Sequence, residues 1–360
     1  TAPYENDFAG TFDGDGHTVS GFYINNSDYN QGLFGHVEEG TIKNLTVEDS
    51  YICGDSQVGA IVGYLYDGSI SNCRSSATVE GENLIGGICG YVAYGTVSAC
   101  TNTGTVISSA MVGGIAGLLE ESTISESINS GVVAGDSDPS GDIGGIAGTL
   151  NNSQVYNCYN TGAVSGDEAI GGIAGTLNNS HVYNCYNTGA ISGNDKIGGI
   201  TGEMLAWSAD FSSEVTNSFS TGLITGNSVI GGIAGYVGEH CDVSNSYYLD
   251  LEGSAEDGIG EGFGTAAEKD EEAFKNGEVA HLLQGTEQTL TWGHSVLDGS
   301  ELPRLAALAS GVEKVIRIRF YDDISEPGTF ELNSAVYTLM DGTAAFPMLD
   351  DVAWDDIDGS

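Results

Sequence analysis

Apolar and polar residues alternate in short bursts along the first 235 residues, and the alternation restarts at a nearly fixed interval. Each interval holds brief runs rich in Val, Ile, Thr and Tyr, separated by Gly, Asn, Ser or Asp. That is the pattern of β-strands between turns. No interval contains the run of helical periodicity that a helix-built repeat requires. The intervals close on Gly35, Gly63, Gly90, Gly117, Gly148, Gly175, Gly202 and Gly235, so the steps are 28, 27, 27, 31, 27, 27 and 33 residues. A period this regular predicts a solenoid. Residues 143–169 and 170–196 differ at five of 27 positions only.

Three short strands and three bends per interval would make one turn of a parallel β-helix, with like residues stacked about 4.8 Å apart. The ladder Ile70, Val97, Ile124, Val155, Val182, Val215 and Val243 is expected to point inward, as is Val79, Val106, Val133, Val164, Ile191 and Ile224. Cys73, Cys100, Ser127, Cys158, Cys185, Ser218 and Ser246 form a column of small residues suited to a tight interior. The column one residue before it, Asn72, Ala99, Glu126, Asn157, Asn184, Asn217 and Asn245, marks a bend, because Asn tolerates left-handed backbone. Handedness follows the rule for parallel crossovers, so the helix is expected to be right-handed, with about nine coils.

These repeats resemble the GLUG motif of large bacterial surface and secreted proteins. The opening run Phe8 to Gly21 resembles the first coil that precedes such arrays, and Ile42 to Val47 its second. The run Phe274 to Gly285, followed by Trp292-Gly293, resembles their closing cap. The resemblance spans residues 8–250 and implies an adhesin-like, surface-anchored or non-catalytic part. The expected organisation is therefore all-β: a parallel β-helix over 1–250, a linker and helical cap over 251–310, and a small β segment with an acidic tail over 311–360. The cap and tail together make a small α/β C-terminal end.

Charge narrows the partners. Nine basic residues face 51 acidic ones, for a net charge of −42, and only Lys43, Arg74 and Lys196 are basic before residue 250. Nucleic acid and anionic membrane surfaces are excluded as partners. No run of 18 apolar residues occurs, and the start at Thr1 lacks a leader pattern, so no membrane insertion is expected and the chain reads as a piece of a longer precursor. The acidity suits an extracellular or bacterial cell-surface location, and self-repulsion favours a monomer. Seven cysteines without Cys-x-x-Cys spacing read as buried free thiols, although Cys73 with Cys100 and Cys158 with Cys185 stack closely enough for a bridge.

Parallel β-helices also carry polysaccharide lyases and hydrolases, so an enzyme is the competing reading. A lyase needs basic residues that this stretch lacks, which leaves a hydrolase with paired carboxylates as the stronger form. Near-identical coils argue against catalysis, and no catalytic residue is assigned. No cofactor is required; calcium is the optional ligand, at Asp13 and Asp15 in a Gly-rich turn, or at Asp136, Asp138 and Asp142 in the 31-residue step. The column Tyr159, Tyr186, Phe219 and Tyr247 is the candidate binding stripe for a carbohydrate or an extracellular protein, if it faces outward. Tyr156 and Tyr183 form a second aromatic pair. An insertion over 203–214, with Trp207 and Phe211, lengthens the last step.

Overall fold

The computed structural model describes residues 7–135, 141–208, 211–249, 251–286, 289–295 and 302–309, with short stretches at 312–313, 315–319, 329–332, 335–338 and 343–346. It divides into two compact units, residues 1–268 and 269–360.

The first unit is a β-solenoid of about nine coils. A typical coil holds the strands Ser69–Ser71, Arg74–Ser75, Thr78–Gly81, Asn83–Gly86 and Cys89–Ala93. Each strand pairs in parallel with its equivalents in the coils before and after. The solenoid's described residues thus form five sheets, here called first to fifth in coil order, of nine, ten, eight, seven and nine strands. Five strands replace the three expected. The reason lies in the bends: single left-handed residues turn the chain so tightly that runs of two to five residues suffice between them. Asn72, Ala99, Glu126, Asn157, Asn184 and Asn217 all sit at φ between 50° and 52°, as the bend column predicts. Asp67, Tyr94, Glu121, Asn152 and Asn179 repeat the device at the corner between the fifth and first sheets, with φ from 45° to 55°.

Both predicted apolar ladders are buried throughout, in register with one another across coils. They belong to one continuous core running from Val37 to Tyr248. The small-residue column is buried too, and its chemistry explains why Cys and Ser interchange there. Cys100 Sγ donates to the carbonyl of Ser98 at 3.2 Å, and Ser127 Oγ donates to that of Ser125 at 2.8 Å. Either side chain satisfies the carbonyl two residues back while filling the same small space. All seven cysteines are free thiols.

The closing glycines answer to close approach between layers. A Cβ on Gly235 would lie 2.5 Å from the carbonyl carbon of Lys196, and one on Gly63 would lie 2.6 Å from that of Asn30. Gly235 thus meets the fourth-sheet strand Asp195–Gly198 of the preceding coil, and Gly63 meets the backbone just before the isolated bridge residue Gln31 of its preceding coil. Only a residue without a side chain lets the two backbones touch.

The solenoid sheets also extend beyond residue 250, into the segment expected as a linker followed by helices from Ala266. Ile259–Gly262 adds the last strand of the fifth sheet and Ala266–Lys269 the last of the second. The second unit contains the expected helices, Glu271–Lys275 and Glu278–Gln284. Asp270 caps the first by accepting from the backbone N–H of Ala273 at 2.8 Å. The Gln284 side chain takes the N–H groups of Thr291 and Trp292, at 2.9 and 2.7 Å, tying the helix to the antiparallel strand Trp292–Ser295. Ile316–Arg319 is a strand, as its alternation predicts, and pairs antiparallel with Thr343–Phe346. The acidic end, residues 350–360, lies outside the described residues.

Candidate functional site

A repeat built for packing can carry chemistry only where its outer faces depart from the repeat. The expected aromatic stripe does not supply such a face. Alternation in the second sheet does turn Tyr159, Tyr186, Phe219 and Tyr247 away from the core, since the next residue, as in Asn160 and Asn187, is the one that points in. Yet the rings stack on one another at 4.6 and 4.9 Å over the first three members. Tyr186, Phe219 and Tyr247 are 3%, 0% and 9% exposed. This corrects the sequence expectation of an outward stripe: three of its four rings are buried and only Tyr159 stays half-exposed, so the column offers no continuous face to a sugar.

The inward-pointing partners of that column were missed. Asn102, Asn129, Asn160 and Asn187 are fully buried. Each amide nitrogen donates to the next coil, Asn102 to Asn129 at 2.9 Å, Asn129 to Asn160 and Asn160 to Asn187 at 2.8 Å, ending on Ser220 Oγ at 3.4 Å. Each Oδ1 also accepts the N–H of the glycine two residues on, as Asn160 does from Gly162 at 3.2 Å. The signal was present in the recurring Asn-Thr-Gly and Asn-Ser-Gly of residues 102–104, 129–131, 160–162 and 187–189.

Asp13 and Asp15 form a turn. The Asp13 carboxylate accepts from Asn44 Nδ2 at 2.8 Å and from the backbone N–H of Asp15 at 3.0 Å, and pairs with Lys43 at 3.2 Å. These donors, led by Asn44, hold its pKa at about 2. The calcium reading therefore meets a carboxylate already held by donors and a lysine. Among the described residues no group of three or more His, Cys, Asp or Glu is arranged to hold a metal ion. Asp136 and Asp138 lie outside the described residues.

Asp142 is different. It lies in the 31-residue coil just before the fourth-sheet strand Ile143–Gly144, facing the outer row of the fifth sheet. That row runs His36, Tyr64, Tyr91, Leu118, Thr149, Thr176, Glu203 and Tyr236 in strict register. Its first three rings stack at 4.7 and 4.8 Å. Farther along the row is polar. Thr149 and Thr176 donate hydroxyls to the two oxygens of Asp142, Thr176 at 2.8 Å. Burial pushes the Asp142 pKa up; the two hydroxyls oppose that shift, and Glu203 and Glu168 add to it. Lys196 bridges Glu168 at 2.8 Å and Glu203 at 3.0 Å. Burial pulls the Lys196 ammonium down, but those two carboxylates outweigh it and hold it above its ordinary value.

The 203–214 insertion breaks the outline of the solenoid. Trp207 is 74% exposed and Phe211 53%. The Trp207 backbone N–H donates to Asn179 Oδ1 at 3.2 Å, and the Phe211 backbone N–H to the carbonyl of Ser208 at 3.0 Å. In the first-sheet strands on either side of this corner two rows turn outward, Gln154, His181 and Glu214, and Tyr156, Tyr183 and Thr216. Tyr156 and Tyr183 are half-buried and stack at 5.0 Å.

Comparison with known proteins bears on the repeat. Residues 54–80 match the GLUG motif, so the chain carries that motif where the repeating glycines place it. A stretch of 76 residues is 42% identical to halomucin of Haloquadratum walsbyi, strain DSM 16790 / HBSQ001; this is 21% of the chain but 1% of halomucin. The chain thus spans a small fraction of the curated relative it matches. A solved structure of a proposed immunoglobulin A1 protease from Bacteroides ovatus aligns over 82% of this chain and 77% of that one, at 18% identity and a TM-score of 0.37. A score that low carries nothing from that protein to this one. No helix among the described residues is long and apolar enough to cross a membrane.

Proposed function

Starting from a GLUG-motif chain folded as a regular β-solenoid, we propose that it is a non-catalytic extracellular or cell-surface module, acting as a monomer that binds a glycan or a protein, or as a stalk. The carrying observation is the use made of the coil's polar groups. Asn102, Asn129, Asn160 and Asn187 are spent on coil-to-coil bonds inside the core, and Asn44, Asn72, Asn217 and Asn245 on bonds across the bends. Such a coil is built to be repeated, and its regularity supports a scaffold over a reaction centre. The matched motif and the net charge of −42 support an exposed location.

The test is a glycan and matrix-protein binding array with the purified chain, with calcium and again with chelator, while reducing-sugar release is followed on every hit. Binding without release is the expected result, and release would overturn the reading. The second reading, a polysaccharide hydrolase, rests on Asp142, a buried acid with a raised pKa beside Glu168 and Glu203 in an irregular coil. If sugar is released, Asp142→Asn should abolish it.

A further inference from the structure

The insertion carrying Trp207 and Phe211 is added without disturbing the coil that holds it. In the preceding coil a single residue, Asn179, separates Asn178 from Ser180, and Ser180 Oγ donates to the Asn178 carbonyl at 2.7 Å. Here Ser213 occupies the place of Ser180 and donates to the carbonyl of Leu205, the register partner of Asn178, also at 2.7 Å. Ser213 Oγ likewise accepts the N–H of Ser180 at 3.1 Å, as Ser180 Oγ accepts that of Ser153 at 3.0 Å. Residues 206–212 therefore stand where one residue sufficed. Seven minus one is six, the amount by which the step of 33 exceeds 27. The corner closes as in other coils, so the solenoid does not need what the insertion adds.

What it adds is exposed aromatic surface. Trp207 is the most exposed large apolar side chain among the described residues. Leaving such a side chain in water forgoes the stabilisation that burial would bring, and the backbone bond to Asn179 anchors its main chain. The insertion runs through Ser213 into Glu214, and its Trp207 backbone is bonded to Asn179, two residues before His181, so it borders the first-sheet row of planar hydrogen-bonding groups Gln154, His181 and Glu214, in which His181 and Glu214 lie 3.7 Å apart. Aromatic faces next to planar polar side chains match a sugar ring, which offers an apolar C–H face and equatorial hydroxyls. The row repeats at the coil spacing of about 4.8 Å, the scale of one pyranose ring. The acidity of the chain repels anionic ligands. Resting on the binding reading above, we propose that Trp207 and Phe211, with the outward row Gln154, His181 and Glu214, form a site for an uncharged glycan chain.

The experiment titrates the full chain with cellohexaose, maltohexaose and N-acetylated chitohexaose, with polygalacturonate as the anionic control, following tryptophan fluorescence and calorimetry. Trp292 is fully buried and Trp354 lies outside the described residues, so the change in acrylamide quenching that Trp207→Ala removes is the one that reports on Trp207. Saturable binding of at least one neutral oligomer is expected, with none to polygalacturonate. Affinity should fall at least tenfold in the Trp207→Ala/Phe211→Ala double variant. A second variant replaces residues 206–212 by one Asn, copying the corner at Asn179; it should keep the circular dichroism and melting of the parent while losing binding. Neutral-glycan binding that survives in both variants would overturn this site yet leave the module reading standing. Binding only of a protein through the loop would overturn the glycan assignment. Silence toward every glycan and protein would remove both and leave a stalk.

Discussion

At the scale of single residues, the left-handed positions and the buried amides divide stability between them. Asn160 donates to Asn187 and accepts from Gly162 and Asn129, so Asn160→Ala leaves the Gly162 N–H and one N–H of the Asn129 amide unpaired in the core. An orphaned buried polar group costs about 1–3 kcal/mol, and a loss of at least that size is expected in urea melts. The opposite sign is expected at Val229, a β-branched residue held at φ 44°. Left-handed backbone costs such a residue roughly 1–2 kcal/mol, so Val229→Asn should raise the denaturation midpoint. Asp142 provides a pH-dependent case. Its folded pKa lies above the unfolded value because burial penalises the charge. The protonated form therefore stabilises the fold, a contribution present below the ordinary carboxylate value and lost as pH rises through it and then through the raised folded one. Asp142→Asn should raise Tm at pH 7 and leave it nearly unchanged at pH 3, and equal shifts at both would refute the assignment. Thiol labelling offers a further check: burial raises the pKa of Cys89, Cys158 and Cys241, and Cys73, held below its ordinary value by its bond with Cys100, is shut away from solvent, so the half-buried Cys53 should react first in the native chain.

At the scale of strands and coils, the sequence was legible wherever the repeat was strict. The two Val/Ile ladders, the Cys/Ser column and the Asn bend could be read because identical positions recur every 27 residues. The number of strands could not, since a two-residue strand such as Arg74–Ser75 leaves no periodicity to detect. The second-sheet aromatic column shows another limit. Its outward direction followed from alternation, but its burial depends on packing that no single coil encodes. Lys196 with Glu168 and Glu203 was equally hidden, because the three charges lie on different strands and meet only through register. The insertion was visible from the 33-residue step, while its seamless closure at Ser213 became apparent only with the hydrogen bonds in place. The closing glycines suggest a direct check. Gly175→Ala would press a methyl against the Asp142–Ile143 backbone, and overpacking of this kind costs about 1–3 kcal/mol. Hydrogen exchange should show the loss concentrated in the fourth and fifth sheets of the adjoining coils.

For the whole molecule, charge and topology act together. With 51 acidic and nine basic residues, the folded chain concentrates like charge that unfolding would disperse. Added salt should therefore raise Tm, most steeply below about 0.15 M, where the screening length is still near 8 Å or longer. A Tm independent of ionic strength would show that the surface repulsion is already compensated. Parallel pairing between successive coils also fixes how the solenoid would respond to load. Its interstrand hydrogen bonds run along the stacking axis, so tension applied between its two ends bears on them one coil after another instead of shearing many at once. Each coil that peels away would release about 27 residues of chain, on the order of 90 Å at 3.4 Å per residue. A tether of this design would lengthen in even, sawtooth steps under pull and dissipate a sudden tug instead of transmitting it.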